Sequence, residues 1–276
     1  MTAAAPVANA RMYSATPETA AAWKSLLTWV LARAGLDWPV VDYPPPAPLN
    51  ALWARDDLGL AMMCGLPFAQ RDAAGGAGRP QLVAAPVPAP PRYAGRPVYF
   101  TDIVVRADAP FQTLADTFGG TAGYTLADSM SGGVALRCHL AAARAARGAR
   151  LYARAVGGLI HARGVIEALA RGAIDVGPLD SYYHDLLVQN APHFAAQVRT
   201  VATTAARPIP PLVATAGLDG SVMAALRAAL AEVATEPALA GERHRLRLAG
   251  FAVPQAADYA PLAAMAAADI PSFEEL

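Results

Sequence analysis

Apolar positions along the chain follow two rhythms. Leu58–Met63, Leu82–Val87 and Val98-Tyr-Phe-Thr-Asp-Ile-Val-Val-Arg106 are apolar at nearly every position and bounded by breakers, the mark of buried strands. Between such runs lie Ala/Leu/Arg stretches with helical spacing. Thr16-Pro17-Glu18 supplies an N-cap, a first-turn proline and a first-turn acid, so a helix is predicted to about Ala34, where Gly35 stops it. Further strands are expected around Arg11–Ser14 and at Val40–Tyr43, Thr121–Thr125, Leu151–Val156, Ile174–Val176, Val198–Thr203 and Leu212–Ala214. Further helices are expected near Leu49–Arg55, from about Leu159 to Arg171, over Asp219–Glu232, and from about Asp258. Strands alternating with helices predict an α/β protein with mixed sheets flanked by helices.

Breakers divide the pattern. Ala73–Arg79 is a Gly/Ala loop, and the Pro-rich Pro86–Pro97 and Pro208–Pro211 bracket a middle α/β segment from Phe100 to Thr204. If the flanking parts pair, one lobe is discontinuous. The expected boundaries are residues 1–98 plus 206–276 for one lobe and 99–205 for the other, with hinge strands near 96–102 and 203–209. Two lobes joined by two crossings make a cleft able to close on a ligand, and ligands favour such interfaces.

Composition narrows the partners. In 276 residues, Lys+Arg and Asp+Glu both number 22, so the formal charge is zero and the basic field needed for nucleic-acid binding is missing. No apolar run nears the roughly 18 residues of a membrane span, so no membrane insertion is expected. Cys64 and Cys138 have no ligand spacing, and His139, His184, His193 and His244 share none, so neither a metal nor a cofactor is expected. Met1–Ala10 lacks a basic segment followed by a long apolar one. The expected location is the periplasm if an export signal has been removed, and the cytoplasm otherwise.

The most informative stretch is Gly123-Tyr-Thr-Leu-Ala-Asp128-Ser-Met-Ser131-Gly-Gly133, followed by Val-Ala-Leu-Arg-Cys-His-Leu140. A strand enters a turn of short polar residues and glycines and leaves it as a helix. Hydroxyls and N–H groups gathered at a helix start can hold an anion without any net positive charge. The simpler reading makes Ser131 an N-cap and the glycines a means of turning.

The order of Tyr99–Val105, Thr121–Thr125, Asp128-Ser-Met-Ser-Gly132, Val156-Gly-Gly-Leu-Ile-His161 and Arg171-Gly-Ala-Ile-Asp175 resembles the substrate-binding components of phosphate, phosphite and phosphonate ABC importers. Arg11-Met-Tyr13-Ser and Met63-Cys-Gly65-Leu-Pro-Phe68 extend the likeness over most of the chain, although Ser-Met-Ser replaces the commoner Ser-Thr-Ser. The resemblance implies a two-lobed, type II periplasmic-binding-protein fold. It further implies a small oxyanion ligand held by Ser129, Ser131 and Gly132 with a ligand-facing His161, and an ABC permease as partner if the protein is exported.

Other candidates stand beside ordinary roles. Tyr13 ends the first expected strand and is either a cleft wall or a core tyrosine. Tyr99 and Thr101 share a strand face by period two, as wall and hydroxyl or as hinge packing. His161 is a donor or a helix cap, and Asp180 either receives a ligand proton or caps the helix Ser181–Val188. A cytoplasmic enzyme or sensor on the same fold, acting on a phosphorylated or carboxylated metabolite, is the alternative. No nucleophile elbow, Walker loop, GxGxxG or HExxH supports a catalyst, and a Ser131/His161/Asp180 set is common enough to arise by chance.

Overall fold

The computed structural model describes residues 5–44, 47–76 and 79–276; residues 1–4 of the N-terminal segment, 45–46, and 77–78 of the Gly/Ala loop lie outside the described residues. The chain runs β1 (Val7–Asn9), α1 (Pro17–Arg33), α2 (Leu49–Trp53), β2 (Leu58–Met62), α3 (Gly65–Ala74), β3 (Gln81–Pro88) and β4 (Val98–Tyr99). Next come β5 (Thr101–Arg106), β6 (Thr121–Gly123), α4 (Ala135–Arg147), β7 (Arg154–Val156), α5 (Ala162–Ala170), β8 (Gly177–Asp180), α6 (Ser181–Asn190), α7 (Pro192–Ala195) and β9 (Val198–Thr203). It closes with β10 (Arg207–Pro208), β11 (Leu212–Ala214), α8 (Gly220–Glu232), α9 (Ala240–Arg245), β12 (Leu248–Ala252) and α10 (Ala260–Ala267).

Two compact units result. The first takes the chain up to Val98 and again Pro208–Ala260; the second takes Tyr99–Arg207 and Pro261–Leu276. The expected boundaries differ in two respects: the second crossing falls at Arg207/Pro208 and not after residue 205, and the terminal stretch from Pro261 groups with the second unit, not the first.

In the first unit a five-stranded sheet runs β1-β2-β11-β3-β12, parallel between β1 and β2 and antiparallel elsewhere. Helix α1 is fixed at its start by Thr16 and Thr19, whose hydroxyls accept reciprocally from each other's backbone N–H. It then buries Trp23, Leu26, Leu27, Val30 and Leu31, the helical stripe that the pattern predicts. The strand expected at Arg11–Ser14 lies earlier, at Val7–Asn9. Asn9 explains the shift: its Oδ1 accepts from Arg11 N–H at 2.9 Å, an Asx turn that sends the chain into a 3-10 turn over Arg11–Tyr13. Of the strand expected at Val40–Tyr43 only a bridge from Val40 to Ala8 forms.

In the second unit β5 lies between β8 and β9, antiparallel to both, and β6 pairs in parallel with β7. Val176, just before β8, bridges in parallel to Ala122 of β6. The strand expected at Ile174–Val176 thus falls a few residues late, over Gly177-Pro-Leu-Asp180. Alternation on β5 sends Ile103 and Val105 into a cluster with Leu136, Leu140, Tyr152, Phe273 and Leu276. Burial pushes the Tyr152 phenol up to about 12, against a hydrogen bond with Thr117 at 3.1 Å that pulls it down. No helix among the described residues is long and apolar enough to cross a membrane.

Candidate functional site

Strand β6 ends at Gly123, and the chain then makes the turn on which the oxyanion expectation rests. Thr125 N–H donates to the Gly132 carbonyl at 3.1 Å, and Ser129 N–H to the Leu126 carbonyl at 3.1 Å. Ser129 is the N-cap, its Oγ accepting from Gly132 N–H at 3.3 Å. The helix opens with a wide π turn over Met130–Val134, in which Val134 N–H reaches back to the Ser129 carbonyl at 2.9 Å, before continuing as α4. Both glycines are required by close approach: a Cβ at Gly132 would overlap the Thr125 side chain, and one at Gly133 the carbonyls of Leu126 and Ala127.

The two serines have different roles. The Ser129 hydroxyl is engaged within the cap. The half-buried Ser131 makes no side-chain hydrogen bond to any described residue, while its carbonyl accepts from Thr101 Oγ1 at 3.1 Å. As the first residues of a helix, Met130 and Ser131 also have no partner in that helix for their N–H groups. A free hydroxyl and free N–H groups at the positive end of a helix suit an oxyanion.

The adjoining segment after β7 is laced to this turn. Gly158 N–H donates to the Thr125 carbonyl at 3.0 Å and Leu159 N–H to the Tyr124 carbonyl at 3.4 Å, while a Cβ at Gly157 would overlap the Tyr124 ring. His161 caps α5, its Nδ1 accepting from Gly164 N–H at 3.1 Å. With Nδ1 as acceptor the ring hydrogen sits on Nε2, so His161 still has one donor to offer.

Asp180 ends β8 opposite Thr101 and caps α6, with Oδ1 accepting from Tyr182 and Tyr183 N–H, both at 3.0 Å. Tyr182 is fully buried, and its phenol is pushed well above its usual range by burial first and then by the nearby Asp180 and Asp185 charges. Thr101 is buried and already committed to the Ser131 carbonyl, with its own N–H donating to Thr204 Oγ1 at 3.0 Å. It holds the turn in place. Tyr99 is buried at the end of β4, separated from β5 by Phe100, so Tyr99 and Thr101 are not on one unbroken strand. Tyr13 is buried in the first unit's 3-10 turn. The second unit therefore links Ser129, Ser131, Gly132, Thr101, His161 and Asp180 through a chain of short contacts, and Tyr13 belongs to the other unit.

One polar cluster escaped the sequence reading. Asp102, fully buried on β5, lies 3.1 Å from His184 Nδ1 of α6 and accepts from Thr203 Oγ1 at 3.2 Å. An acid inside an otherwise apolar strand was the available signal. No group of three or more His, Cys, Asp or Glu able to hold a metal occurs among the described residues.

The fold is that of the type II periplasmic binding proteins. The binding-protein component of an ABC phosphonate transporter from Pseudomonas aeruginosa superposes with a TM-score of 0.73 at 17% identity, covering 95% of this chain and 85% of the other. PhnD1 from Prochlorococcus marinus, solved in complex with methylphosphonate, gives 0.73 at 13% identity over 95% and 96% of the two chains. A Xanthomonas citri protein bound to chloride ion gives 0.67 at 19% identity over 96% and 98%. No curated protein sequence matches the chain. A family model described as ABC transporter, phosphonate, periplasmic substrate-binding protein matches residues 13–259, and the chain belongs to that family. The resemblance drawn from the motif order is borne out. The family is one of substrate-binding transport components, which sets aside the alternative of an enzyme on the same fold.

Proposed function

We propose that this protein binds a small phosphonate or related oxyanion in the periplasm and presents it to an ABC permease. The observation that carries the reading is the Ser131 hydroxyl. It stands half-buried at a helix start, beside N–H groups left over from the first turn, with no hydrogen-bond partner among the described residues. His161 adds a neutral Nε2–H donor from the segment laced to that turn. Ser129 shapes the cradle by capping, and Thr101 fixes the backbone of Ser131. These donors are neutral, which is compatible with a chain of zero formal charge: hydrogen bonds and the helix dipole hold the oxyanion. Membership of a phosphonate-binding family and the methylphosphonate complex of a protein with the same fold support the choice of ligand.

Calorimetric titration with methylphosphonate and inorganic phosphate tests the proposal. Ser131→Ala is expected to weaken binding by about 10- to 100-fold, the range for a hydrogen bond to a charged group. Its Tm should stay unchanged, since no other described side chain or backbone group relies on that hydroxyl. Undiminished binding by Ser131→Ala would remove the cradle from the mechanism.

A further inference from the structure

Two local preferences are broken close together, one on each side of His161. Among the described residues Ala94, Ile160 and Arg247 are the non-glycine residues with positive φ. Ala94 ends a 3-10 turn and Arg247 follows the end of α9, places where a left-handed residue is an ordinary stop. Ile160 instead precedes a helix. At φ +66° it is the apex of a three-residue γ-turn, closed by His161 N–H donating to the Leu159 carbonyl at 2.7 Å. That conformation is strained for most residues and most of all for a β-branched one. The Ile160 side chain is 58% exposed, so its burial does not offset the strain.

Gly164 is the second breach. It is the third residue of α5, an element that alanine would favour and glycine weakens. A Cβ there would overlap the Leu159 carbonyl oxygen, so the carbonyl that closes the γ-turn occupies the space a side chain at 164 would need. Gly164 N–H also donates to His161 Nδ1 at 3.1 Å. One glycine thus admits the turn that precedes His161 and holds the ring from the helix that follows it. Strain of this kind persists only where its surroundings over-determine it, and it gathers at functional positions.

We propose that Gly164 is the positioning residue of His161: by admitting the Leu159 carbonyl and donating to Nδ1, it fixes the ring in one orientation and in the Nε2–H tautomer before ligand arrives. The assignment rests on the oxyanion reading above, in which that N–H meets a ligand oxygen. It accounts for a strained isoleucine and a helix-weakening glycine in one short segment, since a donor aimed in advance loses little freedom on binding.

The first test is nitrogen NMR of the histidine rings in the natural sequence at mildly alkaline pH, free and with methylphosphonate. Signals missing from His161→Asn identify the His161 ring. The Nε2–H tautomer alone is expected in both states, and a mixture in the free protein overturns the proposal. The second test is a calorimetric double-mutant cycle with methylphosphonate. Asparagine caps well, so His161→Asn removes the Nε2–H donor while keeping the start of α5. Gly164→Ala should weaken binding by about 2- to 10-fold, the worth of one ordinary hydrogen bond, and should change nothing further in the His161→Asn background. A loss of equal size in both backgrounds, or none in the natural one, makes Gly164 merely structural and overturns the proposal. If Gly164→Ala does not fold, the ring tautomer of the natural sequence decides. Those outcomes leave the oxyanion reading intact, whereas failure of the natural sequence to bind either methylphosphonate or inorganic phosphate overturns both.

Discussion

Gly132 and Thr125 share a space that holds only one side chain. The Thr125 side chain fills the position that a Gly132 Cβ would need, and even the Thr125 Cβ lies 2.8 Å from it. Gly132→Ala is therefore expected to cost about 1–3 kcal/mol in urea unfolding, as overpacking does. Thr125→Ala in the same chain should recover part of that loss and no more, because the nearest atom is gone but the Cβ remains; full additivity of the two changes would contradict the close approach. The short polar and glycine residues from Asp128 to Gly133 made this turn legible in the sequence. The division of labour within it was not legible. Ser129 caps through Gly132 N–H, and the Ser131 backbone is held by Thr101, thirty positions earlier in the chain, whose hydroxyl donates to the Ser131 carbonyl. Local spacing carries no record of such a contact.

Elements were legible where one rhythm ran undisturbed, as in α1, β2, β3 and β5, and illegible where a local side chain or a breaker overrode it. Gly177-Pro178 reads as a break, yet both lie in β8, paired with Val104 and Ile103 of β5. Strand β12 is short and its Leu-Ala-Gly-Phe-Ala carries no alternation, with Gly250 at φ +157° in its middle. The helix starts at His161 and Asp180 were located, but each left open a choice between capping and touching ligand. The geometry gives both a capping role, and for Asp180 the two roles can be separated by experiment. Asp180→Ala is expected to lose about 0.5–2 kcal/mol of stability, and Asp180→Asn to keep most of it, because asparagine caps nearly as well. A carboxylate that also accepts a proton from the ligand would show in Asp180→Asn as weakened phosphonate binding at a nearly unchanged Tm, whereas a cap alone leaves binding as it is.

The two units divide beside the Pro-rich breaks, at Val98/Tyr99 and Arg207/Pro208, whereas the last sixteen residues group with the second unit, and their sequence, Ala-rich with a single aromatic at Phe273, names no distant partner. Three residues attach that stretch to the second unit. The Phe273 ring stacks on Tyr124 with centroids 3.7 Å apart and planes at 2°, and the Arg137 guanidinium carbon lies over the Phe273 ring at 5.7 Å from its centroid. The Leu276 carbonyl accepts from Leu151 and Tyr152 N–H, and the Glu275 carbonyl from Arg144 Nε at 2.9 Å. These bonds occupy backbone groups that the strand expected from Leu151 would have used, which is why β7 starts only at Arg154. The stacked ring also bears on binding, because Tyr124 is the residue between β6 and the cradle, and its ring lies where a Gly157 side chain would be. Phe273→Ala is thus expected to lose about 3–5 kcal/mol in chemical unfolding, as large aromatic truncations in a core do. It should also weaken methylphosphonate binding at temperatures where the variant remains folded, since Tyr124 would lose the surface that sets its position. A variant destabilised to that extent but unchanged in affinity would show that the tail stabilises the second unit without ordering its cradle.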